Sequence, residues 1–313
     1  MENPIVARRT IPLLTAAALV LAACGGGEDA ADTTAATGAL TIVATTSVLG
    51  DVVTNIVGAA ATVEVIMGAG VDPHDFQPSP QQAAAIQSAD LVIAVGLGLE
   101  EGLLDVIASA ENDGTPVIEL AAQLDPIAFA GSRGDESGGE DPHFWQDPSR
   151  MATAVELIAD RLGAIDGSVD WGATAAAYAA QLRALDAAID EQLASIPAER
   201  RKIVTNHDAF GYFADRYGFE IVGVVIPGGS TLAEPSAADL AGIVATIEEE
   251  RVTAIFAENT NPAVLAEAVA AELGGEVRVF ELHSDSLGEP GSPAATYIGL
   301  LRTNAATVAG ALS

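Results

Sequence analysis

Residues 171–196, WGATAAAYAAQLRALDAAIDEQLASI, read as one helix. The apolar positions Tyr178, Leu182, Leu185, Ile189 and Leu193 recur three and four residues apart, which marks a single buried face. Gly167 and Ser168 break the pattern before the stretch, and Pro197 closes it. At 1.5 Å per residue the helix is roughly 38 Å long. That length suffices to run along a whole two-lobed molecule, so the fold depends on what flanks it.

Both flanks alternate strand and helix. Before the helix, strands are expected at 40–45, 63–67, 91–95 and 117–120. Helices are expected at 47–57, from the Ser79-Pro80 start through 87, and from Asp147-Pro148 to about 162. After it come strands at 203–205, 220–225, 253–257 and 276–281, with helices at 208–217, 237–250, 262–273 and 294–311. Asp147 and Asp208 are read as helix caps. Such alternation predicts an α/β fold with parallel sheets. The expected organisation is a βα lobe at 40–170, the linker helix at 171–197 and a second βα lobe at 198–313.

The first 39 residues read as addressing. Arg8 and Arg9 precede an apolar run at 11–23, which is shorter than the roughly 20 residues that span a bilayer. The run ends in Leu21-Ala22-Ala23-Cys24 and three glycines, which resembles the lipobox of bacterial lipoproteins. Residues 1–24 are therefore expected to be a lipoprotein signal peptide with Cys24 as the lipidated residue, and 25–39 a flexible tether. This implies an extracytoplasmic protein anchored to the bacterial cell membrane by its lipid. Cys24 is the only cysteine, so the chain has neither an internal disulfide nor a thiolate metal ligand.

Forty-four acidic residues against thirteen basic ones give a net charge of −31. A surface this acidic excludes nucleic acid as a partner. It attracts cations over about one Debye length, roughly 8–10 Å at physiological salt, but it equally serves solubility.

The chain has four histidines. His74 and His143 each follow Asp-Pro in a turn-rich string shortly before a helix start, and His207 lies where a strand passes into a helix. Asp285 follows another strand end. In open α/β sheets, ligands bind beyond the carboxyl ends of strands. Three imidazoles and one carboxylate make a four-coordinate site suited to zinc. Calcium and magnesium prefer oxygen ligands, and manganese binds such sites more weakly. Because ligating imidazoles must be neutral, affinity is expected to fall as pH drops toward about 6.5 and below. His283, two residues before Asp285, is read as structural, and Trp145 as lobe packing.

GVDPHDFQPSP (70–80), VGLGLEEGLLD (95–105), DPHFWQDP (141–148), HDAFGYF (207–213) and SDSLG (284–288) with the later Thr296-Tyr297-Ile298 together resemble the zinc/manganese solute-binding proteins of ABC importers. The resemblance runs from about residue 40 to the C-terminus. It implies two α/β lobes joined by one rigid helix, with the metal in the interlobe cleft. It also implies His74, His143, His207 and Asp285 as ligands, Zn2+ (alternatively Mn2+) as transported cargo, and a membrane permease as partner of a monomer. A histidine at position 207 goes with zinc-type members. In one departure, the 131–141 loop carries acids where many zinc-type members carry histidines. An adhesion role, ascribed to some relatives, leaves no sign in these residues.

Two other classes compete. A secreted zinc hydrolase is disfavoured because the chain has no His-Glu-x-x-His string and no Gly-x-Ser-x-Gly elbow. A binder of an organic chelate would want arginines and tryptophans around the motifs, and these are few. The expectation is a binding protein and not an enzyme.

Overall fold

The computed structural model describes residues 39–130 and 139–313. The expected signal, the lipidation of Cys24 and the tether up to residue 38 lie outside the described residues, as does most of the acidic 131–141 loop.

Two four-stranded parallel sheets carry the fold. The first holds β1 (Leu40–Ala44), β2 (Ala61–Val65), β3 (Leu91–Ala94) and β4 (Val117–Glu119) in the order β2-β1-β3-β4. The second holds β5 (Lys202–Thr205), β6 (Glu220–Val224), β7 (Ala254–Glu258) and β8 (Arg278–Leu282) in the matching order β6-β5-β7-β8. Of the central strands, β3 is a continuous apolar run and β7 is apolar up to Glu258, and both are buried along their length, as expected where helices cover both faces of a parallel sheet. In both orders the chain winds one way across the sheet from β1 or β5 and then the other, all strands staying parallel. That creates a crevice at the carboxyl ends, where α/β sheets hold their ligands.

The helices around the first sheet are α1 (Ser47–Val57), α2 (Pro80–Ser88), α3 (Leu104–Asn112) and α4 (Pro148–Ile165). The linker is α5 (Trp171–Leu193). Those around the second sheet are α6 (Gly211–Tyr217), α7 (Ala237–Glu250), α8 (Val264–Glu272) and α9 (Tyr297–Leu312). Local signals start several of them. Ser79 and Gln82 form a reciprocal capping box at α2, with Pro80 in its first turn. The Asp147 carboxylate accepts from the backbone N–H groups of Ser149 and Arg150 at the head of α4.

α5 joins the lobes through their shared core. One apolar cluster runs from Ile42, Leu49 and Val155 of the first lobe through Leu182, Leu185 and Ile189 to Phe213, Phe256 and Leu301 of the second. The outer face of each sheet has its own separate cluster, under α2 and α3 in one lobe and under α7 and α8 in the other. Hydrogen bonds pin α5 to both lobes. Thr174 Oγ1 donates to Ile56 O at 2.7 Å, and Asp186 accepts from Arg216 Nε at 2.9 Å.

Some boundaries move for local reasons. α3 was not read from the sequence, because only Ile107 and Ala110 of its nine residues are buried and its period is too short to show. The last helix begins at Tyr297 and not near 294, since Thr296 supplies the cap by accepting from Gly299 N. Asp208 is not the cap of α6. That helix starts at Gly211 behind Phe210 with no side-chain cap, because 206–209 form a turn in which Thr205 Oγ1 and Ala209 N–H both donate to His207 O.

Candidate metal centre

His74, His143, His207 and Asp285 meet in the crevice between the lobes. Each offers one donor atom, all four atoms lie within 4.8 Å of one another, and all four residues are buried. His207 Nε2 approaches His143 Nε2 at 3.4 Å and Asp285 Oδ2 at 3.4 Å, while His143 Nε2 stands 3.6 Å from Asp285 Oδ1. Bonds of about 2.0–2.1 Å to a tetrahedral zinc place its donors roughly 3.3–3.4 Å apart. Three of the four donors thus already stand at about the spacing one such ion asks for, with His74 within 4.8 Å of each. Both ring nitrogens of His74, and Asp285 Oδ1, are buried without a hydrogen-bond partner. Unpaired buried polar atoms are rare in proteins and ask for a ligand. His283 is not part of the cluster. Its N–H donates to Asn304 Oδ1 at 2.9 Å on α9.

His74 and His143 are aimed by their local turns. In both Asp-Pro-His strings the aspartate side chain accepts the histidine N–H two residues on, at 2.9 Å for Asp72 and His74 and at 2.8 Å for Asp141 and His143. This is an Asx turn, stiffened by the intervening proline. Asp141 Oδ1 also lies 2.7 Å from His143 Nδ1. His207 Nδ1 lies 2.7 Å from Glu258 Oε1, which accepts the His207 N–H as well. With Nδ1 protonated toward a carboxylate, each ring turns its Nε2 lone pair inward and gains basicity. Asp141 and Glu258 were not singled out in the sequence. Glu258 ends β7 at the same edge as the chosen ligands, so the strand-end rule that picked Asp285 also reaches it.

The lobes close on one another around the cluster. Trp145 Nε1 and Gln146 Nε2 donate to Ser284 O at 2.7 and 2.8 Å. Gly70 N–H donates to Ser286 Oγ at 2.8 Å, and Leu287 N–H to Ser47 Oγ at 3.0 Å. Tyr212 OH on α6 donates to Asp141 O at 2.8 Å. Trp145 therefore packs between lobes and also grips the loop that carries Asp285.

Burial and charge split the histidines. Burial, followed by the charge of His207, lowers His74 to about 4. Burial holds His143 well below the usual imidazole range. At His207 burial also pulls downward, but the carboxylates of Glu258 and Asp285 together outweigh it and the group is pushed up to about 10. Burial raises Asp285 to about 7 against the pull of His207. The window near pH 6.5 expected from ordinary histidines therefore belongs to none of the three. Two imidazoles are ready to bind well below it, and the third carries a proton far above it.

A family model described as zinc-uptake complex component A, periplasmic, matches residues 42–311. The manganese-binding lipoprotein MntA of Halalkalibacterium halodurans is 33% identical over 276 residues, covering 88% of this chain and 89% of that one. The zinc-binding protein TroA of Treponema pallidum is 33% identical over 290 residues, covering 89% and 91%. The solved structure of that zinc-binding protein superposes with a TM-score of 0.81 at 32% identity, over 88% of this chain and all of the other. A manganese-bound periplasmic metal-binding protein from Candidatus Liberibacter asiaticus superposes with a TM-score of 0.78 at 26% identity, over the same shares.

Proposed function

The chain belongs to the family of periplasmic zinc-uptake component A proteins, and from that premise we propose that it captures one zinc ion between His74, His143, His207 and Asp285 and delivers it to the membrane permease of an ABC importer. The convergence of four buried donors, with His74 and Asp285 Oδ1 lacking any other partner, carries this reading. Three imidazoles and one carboxylate favour zinc among available divalent ions. Four protein donors also favour binding over hydrolysis, since a catalytic zinc keeps a position open for water. Each lobe supplies two ligands, at residues 40–170 and 198–313, so the ion ties the lobes together and release requires them to part. The helix at 171–197 and the core it shares with both lobes restrict that motion. The N-terminal lipobox string supports anchoring at Cys24 on the outer side of the membrane, with the protein acting as a monomer.

Manganese is the second reading, because relatives named for manganese and for zinc stand at equal identity. The test is to strip the protein with chelator and titrate zinc and manganese against a competing indicator. One tight zinc per chain, lost in His207→Ala, supports the proposal. Tight manganese with merely comparable zinc turns the cargo to manganese, and no stoichiometric binding of either ion sinks the site.

A further inference from the structure

Two of the three clustered imidazoles lean on a buried carboxylate through Nδ1, and the third does not. His143 has Asp141 and His207 has Glu258, each at 2.7 Å. His74 is 2% exposed, yet neither ring nitrogen has a hydrogen-bond partner. The cause lies in how the two Asp-Pro-His turns use their aspartates. Asp141 turns onto the ring of its own histidine. Asp72 instead accepts from Thr231 Oγ1 of the second lobe at 2.7 Å through its other oxygen. The group that faces His74 Nδ1 is Glu101, whose Oε1 stands 3.6 Å away. That same oxygen accepts from Ser230 Oγ, again from the second lobe, at 2.7 Å.

The backbone under Glu101 is held in place. Glu100 is buried, and its Oε1 accepts from Thr45 Oγ1 and Val95 N–H, both at 2.7 Å, while its Oε2 accepts from Gly96 N–H at 3.1 Å. The intervening turn has positive φ at Gly96, Leu97 and Gly98, a conformation that Leu97 adopts only because the surroundings impose it. Next to Glu101, a Cβ on Gly102 would lie 2.1 Å from Phe76 O, so this turn presses directly against the loop of His74. Rotation of the Glu101 side chain alone, by under about 1 Å, closes the gap to hydrogen-bond distance.

We infer that Glu101 is the positioning carboxylate of His74, and that Ser230 keeps it in the cleft only while the lobes are shut. The inference rests on His74 being a metal ligand. Opening the cleft withdraws Ser230, leaves the half-exposed Glu101 to solvent and loosens the first ligand. Metal release is thereby linked to lobe separation through one side chain that touches no metal.

The experiment measures zinc release from the full chain by chelator chase. It compares wild type, Glu101→Ala, Glu101→Gln, Ser230→Ala, the Glu101→Ala/Ser230→Ala double variant and His74→Ala. Loss of an outer partner of a ligating histidine typically weakens binding about 10–100-fold. Glu101→Ala should speed release by that factor with the melting temperature of the metal-free protein unchanged. Glu101→Gln, which keeps an acceptor oxygen, should recover part of it. Ser230→Ala should speed release by a smaller factor and add nothing in the Glu101→Ala background. Wild-type release from Glu101→Ala, with zinc lost in His74→Ala, would overturn the inference and leave the ligand assignment standing. Equal acceleration by Ser230→Ala in both backgrounds would show that it does not act through Glu101. Full zinc affinity in His74→Ala would remove the ligand assignment and the inference together.

Discussion

Replacing Glu258 with glutamine should change how zinc affinity depends on pH more than it changes the affinity at any one pH. In the metal-free protein, burial works against protonation of His207, and Glu258 together with Asp285 more than reverses that to put the group at about 10. At pH 7.5 the incoming ion must then displace a proton held roughly 300-fold in favour of the bound form. Glutamine removes the largest upward influence and leaves Asp285 as the next, so His207 moves down from about 10 and gives up its proton more readily at that pH. It also removes the carboxylate that orients the ring at 2.7 Å and raises its basicity, at a cost of about 10–100-fold in affinity. The two effects oppose each other and leave a small net change near pH 7.5. The slopes differ plainly. His74 at about 4 and His143 well below its usual range are already neutral. Wild-type affinity should therefore climb about tenfold per pH unit between 7.5 and 8.5, through His207 alone, and the variant should climb less steeply. Below about 7 both should weaken together, as Asp285 takes up a proton. Indicator competition at fixed ionic strength across this range is the assay. Parallel slopes in the two proteins would refute the coupling of His207 to Glu258.

Three further outcomes are expected. A Cβ on Gly211 would lie 2.6 Å from Asp141 Oδ2, so Gly211→Ala should displace Asp141 from His143 and weaken zinc binding about 10–100-fold; unchanged affinity in the indicator assay would mean the contact yields instead. Leu182, fully buried in the middle of α5, should lose about 2–5 kcal/mol of stability on Leu182→Ala in denaturant unfolding, and a negligible loss would argue against a core shared between lobes. Free zinc at a thousand times Kd should stabilise the protein by about 4 kcal/mol. Asp285→Ala at the same zinc concentration should show little of that gain, and a full gain would place the fourth donor elsewhere.

Much of the molecule was legible in the chain. Strand and helix periods are local properties, and so are caps such as Ser79 and Asp147. The four clustered donors were legible too, because histidine is scarce here and each donor sits at a strand end or an Asp-Pro turn. α3 escaped because a nine-residue helix with two buried positions has no readable period. Asp208 looked like a cap because aspartate before a helix usually is one. The turn around His207 claimed those residues first.

By itself, the sequence determined the α/β alternation, the long apolar face of the linker and the placement of three histidines and Asp285 at strand ends and turns, since these follow from residue type and spacing along one chain. Only the tertiary structure decided which carboxylate serves which imidazole. Glu258 reaches His207 across 51 positions, and Asp72 turns to Thr231 across 159. Those pairings, the lowering of His74 by burial and the raising of His207 by its carboxylates depend on distance and burial in space, and residue order along the chain carries no record of either.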